Sequence, residues 1–156
     1  MHIRPATPAD CAIIAEFNVR LAWETERLAL HPATVNAGVA ALLADPAKGL
    51  YWVAERPAAE GTPAEIVGQI MITYEWSDWR NGVIWWIQSV YVRDSARGRG
   101  VFTALYRHLA ALARARPEVC TLRLYMERDN TTARRTYTRL GMVETHYQVF
   151  EQELRT

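Results

Sequence analysis

Cysteine is scarce in this chain of 156 residues, and histidine is scattered. The two cysteines are Cys11 and Cys120, and no two of the four histidines have the spacing of zinc ligands. We therefore expect free thiols in a reducing compartment and no metal site.

Long apolar runs and a strong net charge are also lacking. The first twenty residues carry Asp10, Glu16 and Arg20, which argues against a signal peptide, and no apolar run approaches the length of a membrane span. A formal net charge of +1 gives no reason to expect a nucleic acid or a membrane surface as partner. These absences favour a cytoplasmic protein, and the length favours one domain over residues 1–156.

The most informative segment is a glycine-rich turn, Arg97–Val101. It follows an apolar strand-like stretch, Val83–Val92, and precedes a segment with apolar residues at helical spacing. Such a turn exposes backbone N–H groups at a helix start, where the helix dipole adds positive potential. The segment therefore predicts a site for a phosphate or pyrophosphate.

Periodicity and turn residues predict a mixed sheet. The predicted strands are Met1–Arg4, Leu50–Glu55, Ile66–Trp76, Val83–Val92, Val119–Met126 and Met142–Glu153. The predicted helices run from Pro8 to about Trp23, from Thr34 to Leu43, from Val101 to Arg116 and from Asn130 to Leu140. A loop over Arg56–Pro63 and a tight turn over Ser77–Gly82 join neighbouring strands. Their order implies antiparallel pairing first and parallel pairing between Val83–Val92 and Val119–Met126.

Two motifs in this order resemble the GNAT superfamily of acyl-CoA-dependent N-acetyltransferases. The first is Arg97-Gly98-Arg99-Gly100-Val101-Phe102, in which Phe102 stands where glycine or alanine is usual. The second consists of Asn130, Ala133, Tyr137, Gly141 and Met142, with methionine for phenylalanine. The resemblance implies an α/β (α+β) fold with a mostly antiparallel sheet of about six to seven strands flanked by four helices.

The resemblance also implies acetyl-CoA (coenzyme A) as the acyl donor. In this family a strand diverges from its neighbour and pairs with the pantetheine chain, while the glycine turn binds the pyrophosphate. The implied cofactor-binding residues are Val90, Tyr91, Val92, Arg97, Gly98, Arg99, Gly100, Val101, Phe102, Asn130 and Tyr137.

Tyr137 is the predicted general acid for the leaving thiolate, because the family motif places a tyrosine there. The general base stays open. Gln88 occupies the position where some relatives carry a carboxylate, and a glutamine cannot take a proton. Glu75, Glu24 or Glu26, a chain of waters, or an acceptor that arrives partly neutral would each serve.

The acceptor is expected to be a small-molecule primary amine. Aromatic residues around one hairpin, with Glu24, Glu26, Glu75 and Asp78 as sources of negative potential, favour a cationic amine by charge and by cation–π contact. The predicted acceptor residues are Glu24, Glu26, Trp76, Trp86 and Gln88. Two alternatives are a non-catalytic acyl-CoA sensor and an acetyltransferase of protein or peptide amines; a homodimer is expected only by analogy with relatives.

Overall fold

The computed structural model describes residues 1–59 and 63–154. The chain divides into two compact units, residues 1–125 and the residues from 126 onward. Within the described ranges the first unit contains five strands and three α-helices, and the second contains one α-helix. In chain order these are β1 (His2–Pro5), α1 (Cys11–Glu26), α2 (Pro32–Ala44), β2 (Leu50–Arg56), β3 (Glu65–Ser77), β4 (Gly82–Val92), α3 (Val101–Arg114), β5 (Val119–Leu124) and α4 (Thr131–Arg139).

The sheet has the order β1-β2-β3-β4-β5. The pairs β1–β2, β2–β3 and β3–β4 are antiparallel, whereas β4 and β5 are parallel. This confirms the predicted mixed sheet and its change of direction. The turn between β3 and β4 places Asn81 at φ +44°, in the left-handed region that asparagine tolerates better than most residues.

The predicted strand count is wrong. The sheet has five strands rather than six or seven, and the described residues 142–154 include no strand where Met142–Glu153 was expected. The alternation of apolar side chains there is real, but Val143 and Tyr147 are exposed. Alternation shows which residues could form a strand, whereas a strand exists only with a hydrogen-bonded neighbour. Of the predicted loop Arg56–Pro63, residues 60–62 lie outside the described residues.

The helices of the first unit cover opposite faces of the sheet. Ile14 of α1 and Leu42 of α2 share a core cluster with Val53 of β2. On the other face, a Cβ at Gly68 of β3 would lie 3.2 Å from a methyl carbon of Val101 in α3. Glycine at position 68 therefore allows α3 to pack closely on the sheet. No helix of the described ranges is both long and apolar enough to traverse a bilayer.

The start of α1 is held by a buried carboxylate. Asp10 accepts hydrogen bonds from two nitrogens of Arg4, at 2.8 and 3.0 Å, and from the N–H and hydroxyl of Thr7, at 2.7 and 2.9 Å. Asp10 is 6% exposed. The bonds from Arg4, followed by those from Thr7, outweigh the opposing effect of burial and lower the pKa of Asp10 from 3.8 to about 2.

We expect Asp10→Asn to destabilise the fold. A carboxyl group whose pKa is lowered by folding stabilises the folded state above its unfolded pKa, and this stability is lost as the pH falls toward about 2. The shift corresponds to roughly 2 kcal/mol of unfolding free energy at pH 7. Urea titrations between pH 7 and pH 2 measure the free energy of unfolding of both proteins. We expect it to be lower in the variant at pH 7 and to depend less on pH.

Asp45→Asn is the control, because Asp45 is an exposed carboxylate whose pKa is also lowered, by Lys48 and the N–H of Ala47. We expect a much smaller change there, since water screens the pair. An Asp10→Asn protein that matches the wild type at every pH would contradict the assignment.

Candidate functional site

Within the paired region of β3 and β4, the strand β4 contains one extra residue. Met71 pairs with Ser89 while Ile72 pairs with Ile87, so Gln88 is the extra residue of a β-bulge. A bulge bends its strand and increases the local twist. The parallel pairing of β4 with β5 also stops here, at Ile87 and Leu124. In the described ranges, β4 therefore continues from Gln88 to Val92 with β3 as its only strand partner.

The glycine turn after β4 forms an open, positively polarised loop. Gly98 and Gly100 have φ values of +71° and +79°, a region in which other residues are strained. A Cβ at either position would meet no heavy atom within 4 Å. Gly100 is the N-cap of α3, and the first N–H groups of a helix have no acceptor within the helix. The loop therefore has the space and the donors to bind a phosphate or pyrophosphate group.

The guanidinium of Arg97 is engaged in hydrogen bonds and ion pairs within the protein. Its Nε donates to the carbonyl of Val92 at 2.9 Å, and its two terminal nitrogens form ion pairs with Asp94 and Glu24. Its guanidinium also lies over the ring of Tyr91, 5.4 Å from the centroid. These contacts connect the end of α1, the end of β4 and the start of the glycine loop.

Other side chains of the loop have different surroundings. The guanidinium of Arg99 is exposed and has no hydrogen bond to any described residue, so it is the more accessible cation. Val101 is 3% exposed and packs in the core. Phe102 is half-buried, and its ring centroid lies 6.2 Å from that of Tyr106.

Glu24, predicted to bind the acceptor, is paired with Arg97 and accepts the hydroxyl of Tyr91 at 2.9 Å. Partial burial would raise the pKa of Glu24, but the hydrogen bonds from Arg97 and Tyr91 outweigh it and lower that pKa. Burial, followed by this bond to Glu24, raises the pKa of Tyr91. Glu24 is therefore a neutralised anion rather than a free source of negative potential.

A polar and aromatic cluster lies beside the bulge, on the sheet face that α1 and α2 cover elsewhere; we call it the Glu75–Arg123 cluster. Its members are Thr73, Glu75, Trp86, Gln88, Arg123 and Tyr125. Glu75 accepts the indole N–H of Trp86, and Nη1 of Arg123 lies 3.2 Å from both carboxylate oxygens. Gln88 donates to the hydroxyl of Thr73 at 3.0 Å. The structure thus brings together three predicted residues, Glu75, Trp86 and Gln88.

The other predicted acceptor residues lie elsewhere. Trp76 pairs with Val83, whereas Trp86 pairs with Thr73, an odd number of residues away along β3. Because side chains alternate along a strand, Trp76 and Trp86 occupy opposite faces and do not form one wall. Glu26 is exposed at the last position of α1 and has no ion-pair partner among the described residues.

In the second unit, Asn130 caps α4. Its Oδ1 accepts the N–H of Ala133 at 2.9 Å, and Gly141 ends the helical segment with φ +87°. Tyr137 lies two turns into α4 and is half-buried. Burial raises the pKa of the Tyr137 hydroxyl.

Arg123 and Tyr125 are members of the cluster that sequence reasoning missed. The ring centroids of Tyr125 and Trp86 are 4.5 Å apart in a stacked arrangement, and the guanidinium of Arg123 lies 5.1 Å from the Trp86 centroid. A signal was present, because Arg123 interrupts the apolar residues Leu122 and Leu124 of β5. In the described ranges no three His, Cys, Asp or Glu side chains are close enough to bind a metal ion.

Comparison with known proteins identifies the class. Residues 15–142 match the family model of the acetyltransferase (GNAT) family. The match covers most of the chain, so the protein belongs to the GNAT acetyltransferase family.

Two solved structures are similar to this chain. A crystal structure described as a possible acetyltransferase from Clostridium difficile 630 is 40% identical; the match covers 99% of this chain and 98% of that one, with a TM-score of 0.86. A ribosomal-protein-alanine N-acetyltransferase from Brucella melitensis biovar Abortus 2308 is 18% identical, with 98% of each chain covered and a TM-score of 0.71. At that identity the likeness shows the fold alone. No curated protein matches the chain.

We expect Gly100→Ala to weaken coenzyme A binding by about tenfold, which is about 1.4 kcal/mol. The added methyl group occupies the open side of the loop, and φ +79° strains any residue that has a Cβ. Isothermal titration calorimetry with coenzyme A measures the change.

Gly141→Ala is the matched control. Gly141 has φ +87° and equally open surroundings, but it lies outside the loop. If Gly100→Ala bound coenzyme A as tightly as the wild type does, the glycine loop would not be part of the coenzyme A site.

Proposed function

We propose that this protein is an acetyl-CoA-dependent N-acetyltransferase whose acceptor is a primary amine. The observation that carries the proposal is the end of the β4–β5 pairing at Ile87, followed along β4 by an open glycine loop, in a chain of the GNAT family. We further propose that residues 1–156 act as one catalytic domain, because the family model extends across both compact units.

The first unit offers the groups that acetyl-CoA needs. The N–H groups from Gly98 to Val101 would bind the pyrophosphate, with Arg99 as an accessible cation. Free backbone groups of β4 at Val90 would pair with the amides of the pantetheine chain as an added strand does, whereas the backbone groups of Tyr91 face β3, as the N–H of Arg93 does. The carbonyl of Val92 is already bonded to Arg97, so we place the end of that pairing before Val92.

When bound, acetyl-CoA supplies an activated acetyl thioester. A neutral amine nitrogen forms the new bond to the acetyl carbon while the carbon–sulfur bond breaks; the nitrogen loses one proton and the sulfur gains one. A free N–H of β4 near Val90 would donate to the carbonyl oxygen as it gains negative charge. The transfer is direct, because neither motif contains a cysteine that could carry the acyl group.

Tyr137 is the proposed donor of the proton to sulfur. A tyrosine with an ordinary pKa of about 10 is a weaker acid than a thiol at about 8.5, so the transfer is uphill by roughly 2 kcal/mol. Burial raises the pKa of Tyr137 further, which keeps its hydroxyl protonated at neutral pH and increases this cost. The cost falls when the thiolate is itself poorly solvated.

The charges around the proposed acceptor position differ from the sequence expectation. Glu24 is paired with Arg97, and Glu75 is paired with Arg123. A selective preference for cationic amines therefore has no support from these two carboxylates. Glu75 remains a candidate base because it lies in the same cluster as Gln88, the bulged residue of β4.

The first test is release of free coenzyme A thiol with a panel of amines, using the wild-type protein and Tyr137→Phe. We expect release with one class of amine. In the variant, kcat should fall by roughly a hundredfold, the usual contribution of a general acid, with little change in acetyl-CoA affinity.

Tyr147→Phe is the control, since Tyr147 is an exposed tyrosine of the same unit. Equal turnover in Tyr137→Phe and wild type would show that Tyr137 is not the general acid and that its role is in packing. Coenzyme A binding without turnover on any amine would instead favour the acyl-CoA sensor.

A further inference from the structure

Arg123 uses only one end of its guanidinium. Nη1 is shared between both oxygens of Glu75 at 3.2 Å, whereas Nε and Nη2 have no acceptor among the described residues. A guanidinium binds a carboxylate most strongly through two parallel N–H bonds from two nitrogens. The structure therefore leaves a donor edge of Arg123 unfilled, on a side chain that is 29% exposed.

The carboxylate beside it is more accessible still. The side chain of Glu75 is 42% exposed, and the indole N–H of Trp86 orients it. An accessible cation and an accessible anion thus lie in contact. A ligand that carries both charges could satisfy the free edge of Arg123 and still place an ammonium group near Glu75.

An aromatic surface adjoins this ion pair. Trp86 contacts both Arg123 and Tyr125, and Tyr125 is 50% exposed although it is a large aromatic residue. Stacked rings next to a charged pair suit an amphipathic ligand whose apolar part covers the rings. The cluster therefore offers three kinds of contact within one patch of the first unit.

The position of the cluster relates it to the proposed chemistry. Trp86 and Arg123 are paired across β4 and β5, one pair before the last pair, Ile87 and Leu124. Gln88, on the same face, begins the segment of β4 that has β3 as its only strand partner among the described residues. A ligand on Arg123 would thus extend along the sheet toward the free backbone of β4.

We propose that the acceptor amine also carries a carboxylate, and that Arg123 binds this carboxylate. The acceptor class is therefore that of amino acids and related amino carboxylates rather than polycations. This inference rests on the proposed acetyl transfer for its role in catalysis, but the carboxylate subsite exists independently of turnover.

The kinetic test compares each amino acid with its primary amide, because the two differ at the carboxylate. Phenylalanine, leucine and 6-aminohexanoate are measured against their amides in wild type, Arg123→Gln and Arg123→Lys. We expect the acid-to-amide ratio of kcat/KM to fall by about tenfold in Arg123→Gln, mainly through KM, and by less in Arg123→Lys. Comparing ratios between proteins cancels the different basicities of the amines.

Arg116→Gln is the matched control. The guanidinium of Arg116 lies 5.2 Å from the ring centroid of Trp85, much as Arg123 lies over Trp86, but on the opposite face of the sheet. We expect it to keep the wild-type ratio. An unchanged ratio in both Arg123 variants, or an equal fall in Arg116→Gln, would overturn the proposal.

A binding measurement separates this inference from the proposed function. N-acetylphenylalanine and its amide are titrated calorimetrically into the coenzyme A complex of wild type and Arg123→Gln. Tighter binding of the acid that depends on Arg123 supports the subsite even if no amine is acetylated. Equal binding of acid and amide rejects the subsite even if amines are acetylated.

Discussion

The site depends on one extra residue in β4. The bulge at Gln88 divides β4 into a half that pairs on both sides and a half with a single strand partner among the described residues. If β4 paired along its whole length with both neighbouring strands, the N–H and C=O groups on both of its edges would be hydrogen-bonded within the sheet. Because the pairing with β5 ends at Ile87, one edge of β4 has no strand partner among the described residues between there and the glycine loop. Gly68 on the neighbouring strand β3 helps to position the glycine loop, because the absence of a Cβ lets Val101 at the start of α3 pack close to the sheet.

Arginines determine the electrostatics of this region. Arg97 neutralises Glu24 and also occupies the carbonyl of Val92, so it limits the stretch of β4 that a ligand can use. Arg123 neutralises Glu75 and retains unused donors. Both pairs are partly exposed, so each adds little to stability. A count of glutamates alone does not reveal that Glu24 and Glu75 are both paired with arginines.

Much of the fold was predictable because the relevant signals are local. The helix start at Pro8–Asp10 and the cap at Asn130 are set by side-chain bonds that span three residues: Asp10 accepts the N–H of Thr7, and Asn130 accepts the N–H of Ala133. The glycines at 98 and 100 adopt positive φ values as a turn of that composition requires. The parallel pairing of β4 with β5 followed from the helix that separates them in the chain.

The remaining features depend on residues that are distant in sequence. Whether Met142–Glu153 forms a strand is decided by a partner, and alternation within the segment cannot supply one. The sequence contained both Glu75 and Arg123, but only the register of β3, β4 and β5 brings them into contact. The sequence by itself determined the family, the turns and the caps, since these depend on neighbours along the chain. Tertiary structure alone decided which charges are paired and which faces the aromatic rings occupy, because those depend on strand register and on the position of a single bulge.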